Sequence, residues 1–249
     1  MTTRARRPGR RNQVLSREQI LGAAIDLLDS GGEGALTVRA MTERLATGSG
    51  AVYHHVGSRE ELLDAAAETV VTAALTARSA RAGATPEDEV RGVALALFDA
   101  MAEHRWLATR LTLQVVRNPA GPVAVEIFER LGRQVGALGV PRASWFDATA
   151  TLVHYVLGAV SQNTRVGGDT PGGRHDADRE EFFDAVSTAW RGLDVEDYPF
   201  LHAVVDQARD HDDREQFLTG IGIVLAGLTH LRRPALPGSP APREGLPRA

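Results

Sequence analysis

Helix-starting signals recur along this chain, each followed by apolar residues at helical spacing. No stretch sustains the period-2 alternation of a half-buried strand. Ser16 precedes the stripe Ile20, Ala24, Leu27 and Leu28, and Gln19 is placed to complete a capping box; Gly31-Gly32 end that helix. Ser58, with Glu61 as its capping partner, opens a long helix reaching about Arg78. Thr85-Pro86-Glu87-Asp88 joins an N-cap, a proline at the first helical position and two acids facing the positive helix end. With Ala, Leu and Arg abundant, the pattern predicts an all-α fold.

Between the first two of those signals, Thr37 opens a short helix containing Val38, Met41 and Leu45. After Ala46-Thr47-Gly48 another short helix is expected from about Ser49 to His55. Beyond residue 85 helices are predicted at about 86–103, 105–117, 123–136, 144–165, 178–190 and 214–232, with an irregular helical linker before the last. Asn118 to Pro122 and Gly136 to Pro141 supply the breaks, and Gly167 to Asp176 reads as a mobile loop. The expected divisions are a basic arm at 1–14, a first helical unit at 15–62, a helical body at 63–233 and a proline-rich disordered tail at 234–249.

Charge is divided along the chain. Residues 1–59 hold nine Arg and five Asp or Glu, a net of +4, so the formal total of −4 leaves −8 for the rest. Arg4, Arg6, Arg7, Arg10 and Arg11 precede any acid, and a basic head on an acidic body suits contact with phosphate at one end only. The arm is expected to track phosphates or the minor groove.

Two short helices joined by a tight turn and backed by a long one make a helix-turn-helix. Thr37 to Leu45 would lie across phosphates and Ser49 to His55 would enter the major groove, with Gly48, Ser49, Gly50 and Ala51 permitting close approach to base edges. Tyr53, His54 and His55 offer donors to phosphate, Arg59 sits beside the free N–H groups of the long helix, and Arg39 projects toward a base or phosphate. Spacing alone leaves a helical hairpin with a solvated basic rim equally open.

From Ser16 to about Asp64 the chain resembles the tetracycline-repressor (TetR) family. Ala51-Val52-Tyr53-His54-His55-Val56-Gly57-Ser58-Arg59-Glu60-Glu61-Leu62-Leu63 is similar to that family's hallmark string, and the match continues without a gap back to Thr37. The resemblance implies that Tyr53, His54 and Arg59 touch phosphates while Arg39, Ser49, Gly50 and Ala51 face bases. Two positions depart from it: Ala46 stands where the family usually has Gly, and Gly48 where it has Ser, which makes Thr47 the alternative cap of the recognition helix.

Further on, His104-Arg105-Trp106-Leu107, His154-Tyr155-Val156-Leu157-Gly158, Tyr198-Pro199 and Phe217 with Gly220 to Gly227 resemble the tetracycline-repressor-like C-terminal class. That class pairs its last and penultimate long helices with their two-fold mates, here about 144–165 and 214–232. On the last, Phe217, Ile221, Leu225 and Leu228 form a stripe that a lone chain would expose and a homodimer would bury. Trp106, Arg110, Gln114, Trp145, Tyr155, Gln162 and Asn163 are the polar and aromatic candidates for contact with a small organic effector. Gln114 and Gln162-Asn163 stand where tetracycline repressors keep a metal-binding His and acids, which speaks against a magnesium–tetracycline ligand.

Other chemistries lack their residues. There is no Cys for a thiolate or disulfide, the eight His include no pair four residues apart, and neither a nucleophile elbow nor a phosphate loop occurs, so no enzyme, metal or cofactor is expected. Met1 to Val14 lacks the apolar region of a secretory signal, and no run approaches the roughly 20 apolar residues of a membrane span. The expectation is a cytoplasmic, homodimeric repressor that binds a palindromic operator in double-stranded DNA and is released by a small effector.

Overall fold

The computed structural model describes residues 15–48, 50, 57–78, 83–163, 175–209 and 212–231. For Asn163, residues 175–180 and Arg209 it describes the backbone alone. The arm at 1–14 and the tail at 234–249 lie outside this set. Among the described residues there is no strand, and the fold is all-α. In chain order the helices are α1 (Arg17–Ala35), α2 (Val38–Leu45), α3 (Arg59–Ala77), α4 (Pro86–Glu103), α5 (Arg105–Arg117), α6 (Pro122–Ala137), α7 (Trp145–Asn163), α8 (His175–Arg191), α9 (Pro199–Arg209) and α10 (Asp213–Leu231).

Their starts follow the local chemistry. Ser16, Ser58 and Thr85 each accept from the backbone of the third helical residue, and Gln19, Glu61 and Asp88 each return the bond, so all three are full capping boxes. The Thr85 hydroxyl and backbone amide hold the Asp88 carboxyl below its ordinary range. Pro86 and Pro122 occupy first helical positions, where a missing N–H costs nothing. In α1 the helix does break at Gly31 and Gly32, where Gly32 takes φ 63°, but a further turn resumes as far as Ala35. The segment expected as an irregular linker contains a regular helix, α9, whose Pro199 sits at its first position.

Helix α3 joins the two halves. It packs on α1 in the head and on α4, α5 and α6 in the body. In the body α4, α6, α7 and α10 enclose the core, while α8 and α9 pack chiefly on each other. Near the centre, the Phe217 ring lies 4.8 Å from that of Phe98 and 5.8 Å from that of Tyr155.

That placement corrects the expected dimer stripe. Phe217, Ile221, Leu225 and Leu228 are between 0 and 5% exposed within a single protomer, so they are core residues. Helix α10 has two apolar faces, and its larger side chains fill the core of their own protomer. The outward face carries Thr219, Ile223, Ala226 and Gly227, with Ile223 69% exposed.

Phe217→Ala should therefore cost about 3–5 kcal/mol of protomer stability through the cavity it leaves. Urea unfolding at fixed protein concentration measures this; a loss confined to self-association would contradict the inward placement.

Candidate nucleic-acid interface

The described part of the candidate interface is built on α2. Thr37 caps it, accepting from the Ala40 amide at 3.1 Å, and Met41 anchors it in the core. Those two contacts turn Arg39 outward: its side chain is 87% exposed and its Nε donates to Glu43 Oε1 at 2.8 Å one turn on. Glu43 thereby takes one donor of Arg39 and leaves its terminal nitrogens free of that bond. Arg44, on the other flank, pairs with Asp26 of α1.

The turn after α2 runs through Ala46, which takes φ 48° and ψ 43°. This is the left-handed region that Gly enters freely and Ala enters at a cost, and it explains physically why a Gly is the usual choice at this point. Gly48 and Gly50 are exposed, and a Cβ at either would meet nothing within 4 Å, so the chain there leaves room for a surface to approach. Thr47 is half-buried. Ser49, Ala51, Tyr53, His54 and His55 lie outside the described residues.

Arg59, half-exposed beside the α3 N-terminus, turns back onto α1. Its Nε donates to the Leu36 carbonyl at 3.1 Å and an Nη to that of Glu33, closing the C-terminal end of α1. Carbonyls at the end of a helix keep spare acceptor capacity and partial negative charge, and the guanidinium supplies donors and charge to two of them.

The head is fastened to the body through α5. Asp29 Oδ1 of α1 accepts from Trp106 Nε1 at 2.8 Å and lies 2.8 Å from His104 Nδ1. Arg110 reaches the first turns of α3, with Nη1 donating to Glu60 Oε2 at 2.8 Å and Nη2 to Asp64 Oδ1 at 2.7 Å. Burial opposes the charge of Arg110, but the bonds and charges of the two carboxylates outweigh it and raise its pKa. The same guanidinium, by hydrogen bond and by charge, holds Glu60 below the ordinary glutamate range.

Six of the seven effector candidates have described side chains, and these fall in separate places. Trp106 and Arg110 are committed to the head. Trp145 is exposed at the start of α7, its Nε1 donating to the Val140 carbonyl at 2.8 Å. Tyr155 and Gln162 line a cleft of about 470 Å³ between α7 and α10, shared with His154, Gly158, Thr219, Gly220 and Ile223. There the Tyr155 hydroxyl donates to the Phe217 carbonyl at 3.1 Å, and burial raises its pKa. A Cβ on Gly220 would stand 1.9 Å from that hydroxyl oxygen, so only Gly admits the ring. Gln114 points inward, with Oε1 buried and without a hydrogen-bond partner. The Asn163 side chain lies outside the described atoms.

Sequence reading missed Asp29, Glu60 and Asp64 as the partners of α5, along with Glu43 and Ile223. One signal was present: Glu60 and Asp64 are like charges one turn apart, an arrangement that repels unless a cation faces both.

Residues 20–66 match the family of bacterial regulatory proteins, tetR family, and residues 81–232 match the tetracyclin repressor-like C-terminal domain. Among curated proteins, a tetracycline repressor protein class A from transposon 1721 of Escherichia coli is 26% identical over 229 residues, 91% of this chain and 95% of its own length. An HTH-type transcriptional regulator of Saccharopolyspora erythraea is 28% identical over 158 residues, 64% of this chain and 65% of its own length. Among solved structures, the transcriptional regulator SCO7222, a TetR from Streptomyces coelicolor, aligns with TM-score 0.78 and 57% identity, covering 88% of this chain and all (100%) of that one.

Replacing Ala46 by Gly should stabilise the head by about 1 kcal/mol by relieving the left-handed backbone. Thermal unfolding of the two proteins side by side tests this; an unchanged or lower midpoint would mean the turn carries no such strain.

Proposed function

The chain belongs to the tetR family of bacterial regulatory proteins, and from that membership we propose that it is a repressor that binds a palindromic operator as a homodimer and is released by a small organic effector. The observation that carries this reading is the head itself, in which α2 presents an exposed Arg39, held by Glu43 through its Nε alone, beside the exposed Gly48 and Gly50, within residues that match the tetR family. The named similarity to a tetracycline repressor, extending over 91% of the chain, supports the repressor direction.

In this reading residues 15–62 form the DNA-binding unit and 63–233 the body. Arg39, Ser49, Gly50 and Ala51 face bases, Thr37, Thr47 and Gly48 lie beside them against the DNA, and Tyr53 and His54 touch phosphates. Arg59 acts indirectly, holding the head together instead of meeting phosphate, in keeping with its bonds to Glu33 and Leu36. One short recognition helix reaches too few bases for useful specificity; two heads about 34–36 Å apart read successive grooves. The outward face of α7 and α10 supplies the pairing surface, since Ile223 projects from a strip of small side chains that lets a two-fold mate approach closely. Gln114, whose buried oxygen lacks a partner, is the best-placed effector contact. The site of action is the cytoplasm, and no helix among the described residues is long and apolar enough to cross a membrane.

DNA selected by the protein from a random pool, then titrated in gel-shift series across salt, should yield one palindrome bound far above random duplex and weakening steeply with salt. Equal, feeble binding to every duplex would instead favour a helical interaction module without operator function. Arg39→Ala should cost about 1–3 kcal/mol of operator affinity and leave the fold intact; wild-type binding would remove Arg39 from the interface. Ile223→Glu should yield folded monomers by sedimentation, whereas an unshifted dimer would place the pairing surface elsewhere.

A further inference from the structure

Among the described residues one charged side chain falls in the buried class, Arg110, at 6% exposure. It makes four hydrogen bonds to two residues of another helix. Nε and Nη2 both donate to Asp64 Oδ1, at 3.0 and 2.7 Å, while Nη1 donates to Glu60 Oε2 at 2.8 Å and Nη2 also reaches the Glu60 carbonyl at 3.2 Å. The carboxylates themselves are half exposed, with side-chain accessibilities of 59% for Glu60 and 46% for Asp64. A buried guanidinium needs both of them, because desolvation of an unpaired charge costs several kcal/mol.

The place of these bonds matters more than their strength. Arg59, the residue before Glu60, ties the same end of α3 to the carbonyls of Glu33 and Leu36 in the head. Residues 59–64 thus hold the head on one side and α5 of the body on the other, within two helical turns. Apolar packing of Leu62, Leu63 and Ala66 also seats this segment, but such contacts are non-directional and tolerate sliding or rolling. A forked guanidinium bonded to two carboxylates admits one orientation.

We propose that Arg110 is a positioning residue for operator binding: by clasping Glu60 and Asp64 it sets the angle at which α3 carries the head relative to the body. This rests on the operator reading above for its consequence on DNA, though the geometric part stands without it. Loosening the clasp spreads the heads over orientations, and apparent affinity falls with the fraction that still matches the half-site spacing.

The chain has no Cys, so Glu18→Cys on α1 and Val125→Cys on α6 give two clean spin-label sites, one in the head and one in the body. With labelled protein diluted into unlabelled, pulsed electron resonance reads the head-to-body distance within one chain of the full-length protein. Arg110→Gln should broaden that distribution and weaken binding to the wild-type-selected palindrome roughly tenfold. Arg110→Lys, which keeps the charge but not the fork, should recover part of both. A folded Arg110→Gln protein with an unchanged distribution and affinity within about twofold of wild type overturns the proposal. Should Arg110→Gln fail to fold, Asp64→Asn, altered on the exposed side of the clasp, is read by the same two measurements and criteria. If the wild type selects no palindrome, the operator reading falls, and the distance distributions alone decide whether Arg110 sets the angle.

Discussion

Helix α3 is the constraint on which the rest depends. Leu62, Leu63, Ala66, Ala67, Val70, Val71 and Leu75 are buried along its length, against α1 at one end and against the body helices beyond. Each large aliphatic side chain it withdraws from water contributes about 1.5–3 kcal/mol to the continuous core that runs from head to body. A helix shared in this way is a lever as well as a strut, because whatever turns it turns the head. Its alanines let neighbouring helices approach closely, and its far end is closed by Arg130, whose Nη1 donates to the Leu75 carbonyl at 2.9 Å.

Polar contacts then specify what apolar burial leaves loose. Arg59, Arg110 and Arg130 each satisfy groups on or beside α3, and each comes from a different part of the chain. In the body, the stacked Tyr155 and Phe217 do the same for α7 and α10: the hydroxyl bond to the Phe217 carbonyl fixes the depth of the ring, and Gly220 gives it room. The inner faces of these helices are thereby filled by their own protomer. What remains outward is a strip of small residues around Ile223, a surface suited to a second helix pair.

Much of the fold was legible because helix starts are local events. Ser16, Ser58 and Thr85 announce their helices through residues three positions away, and the observed boundaries fall within a few residues of the expected ones. The same holds for Thr37 as cap of α2 and for the exposed Arg39. Legibility failed where two faces of one helix were both apolar. Periodicity marks Phe217, Ile221, Leu225 and Leu228 as one stripe but carries no information on whether a stripe meets its own chain or a copy of it. The effector candidates meet a similar limit, since Trp106 and Arg110 look alike in sequence whether they face a ligand or, as their bonds to Asp29, Glu60 and Asp64 show, a neighbouring helix.

Composition and short-range neighbours were enough to specify the helical class, the capping chemistry, the family word from Ala51 to Leu63 and the basic head on an acidic body. Each of these depends on neighbours within a turn or two, or on composition. Long-range packing was needed for Arg59 to turn back onto α1, for Arg110 to grip Glu60 and Asp64 from 46 to 50 residues away, and for the large side chains of α10 to point inward. Those outcomes follow from the desolvation of specific groups once distant helices meet, and a charge or an apolar face has no partner until the chain has folded around it.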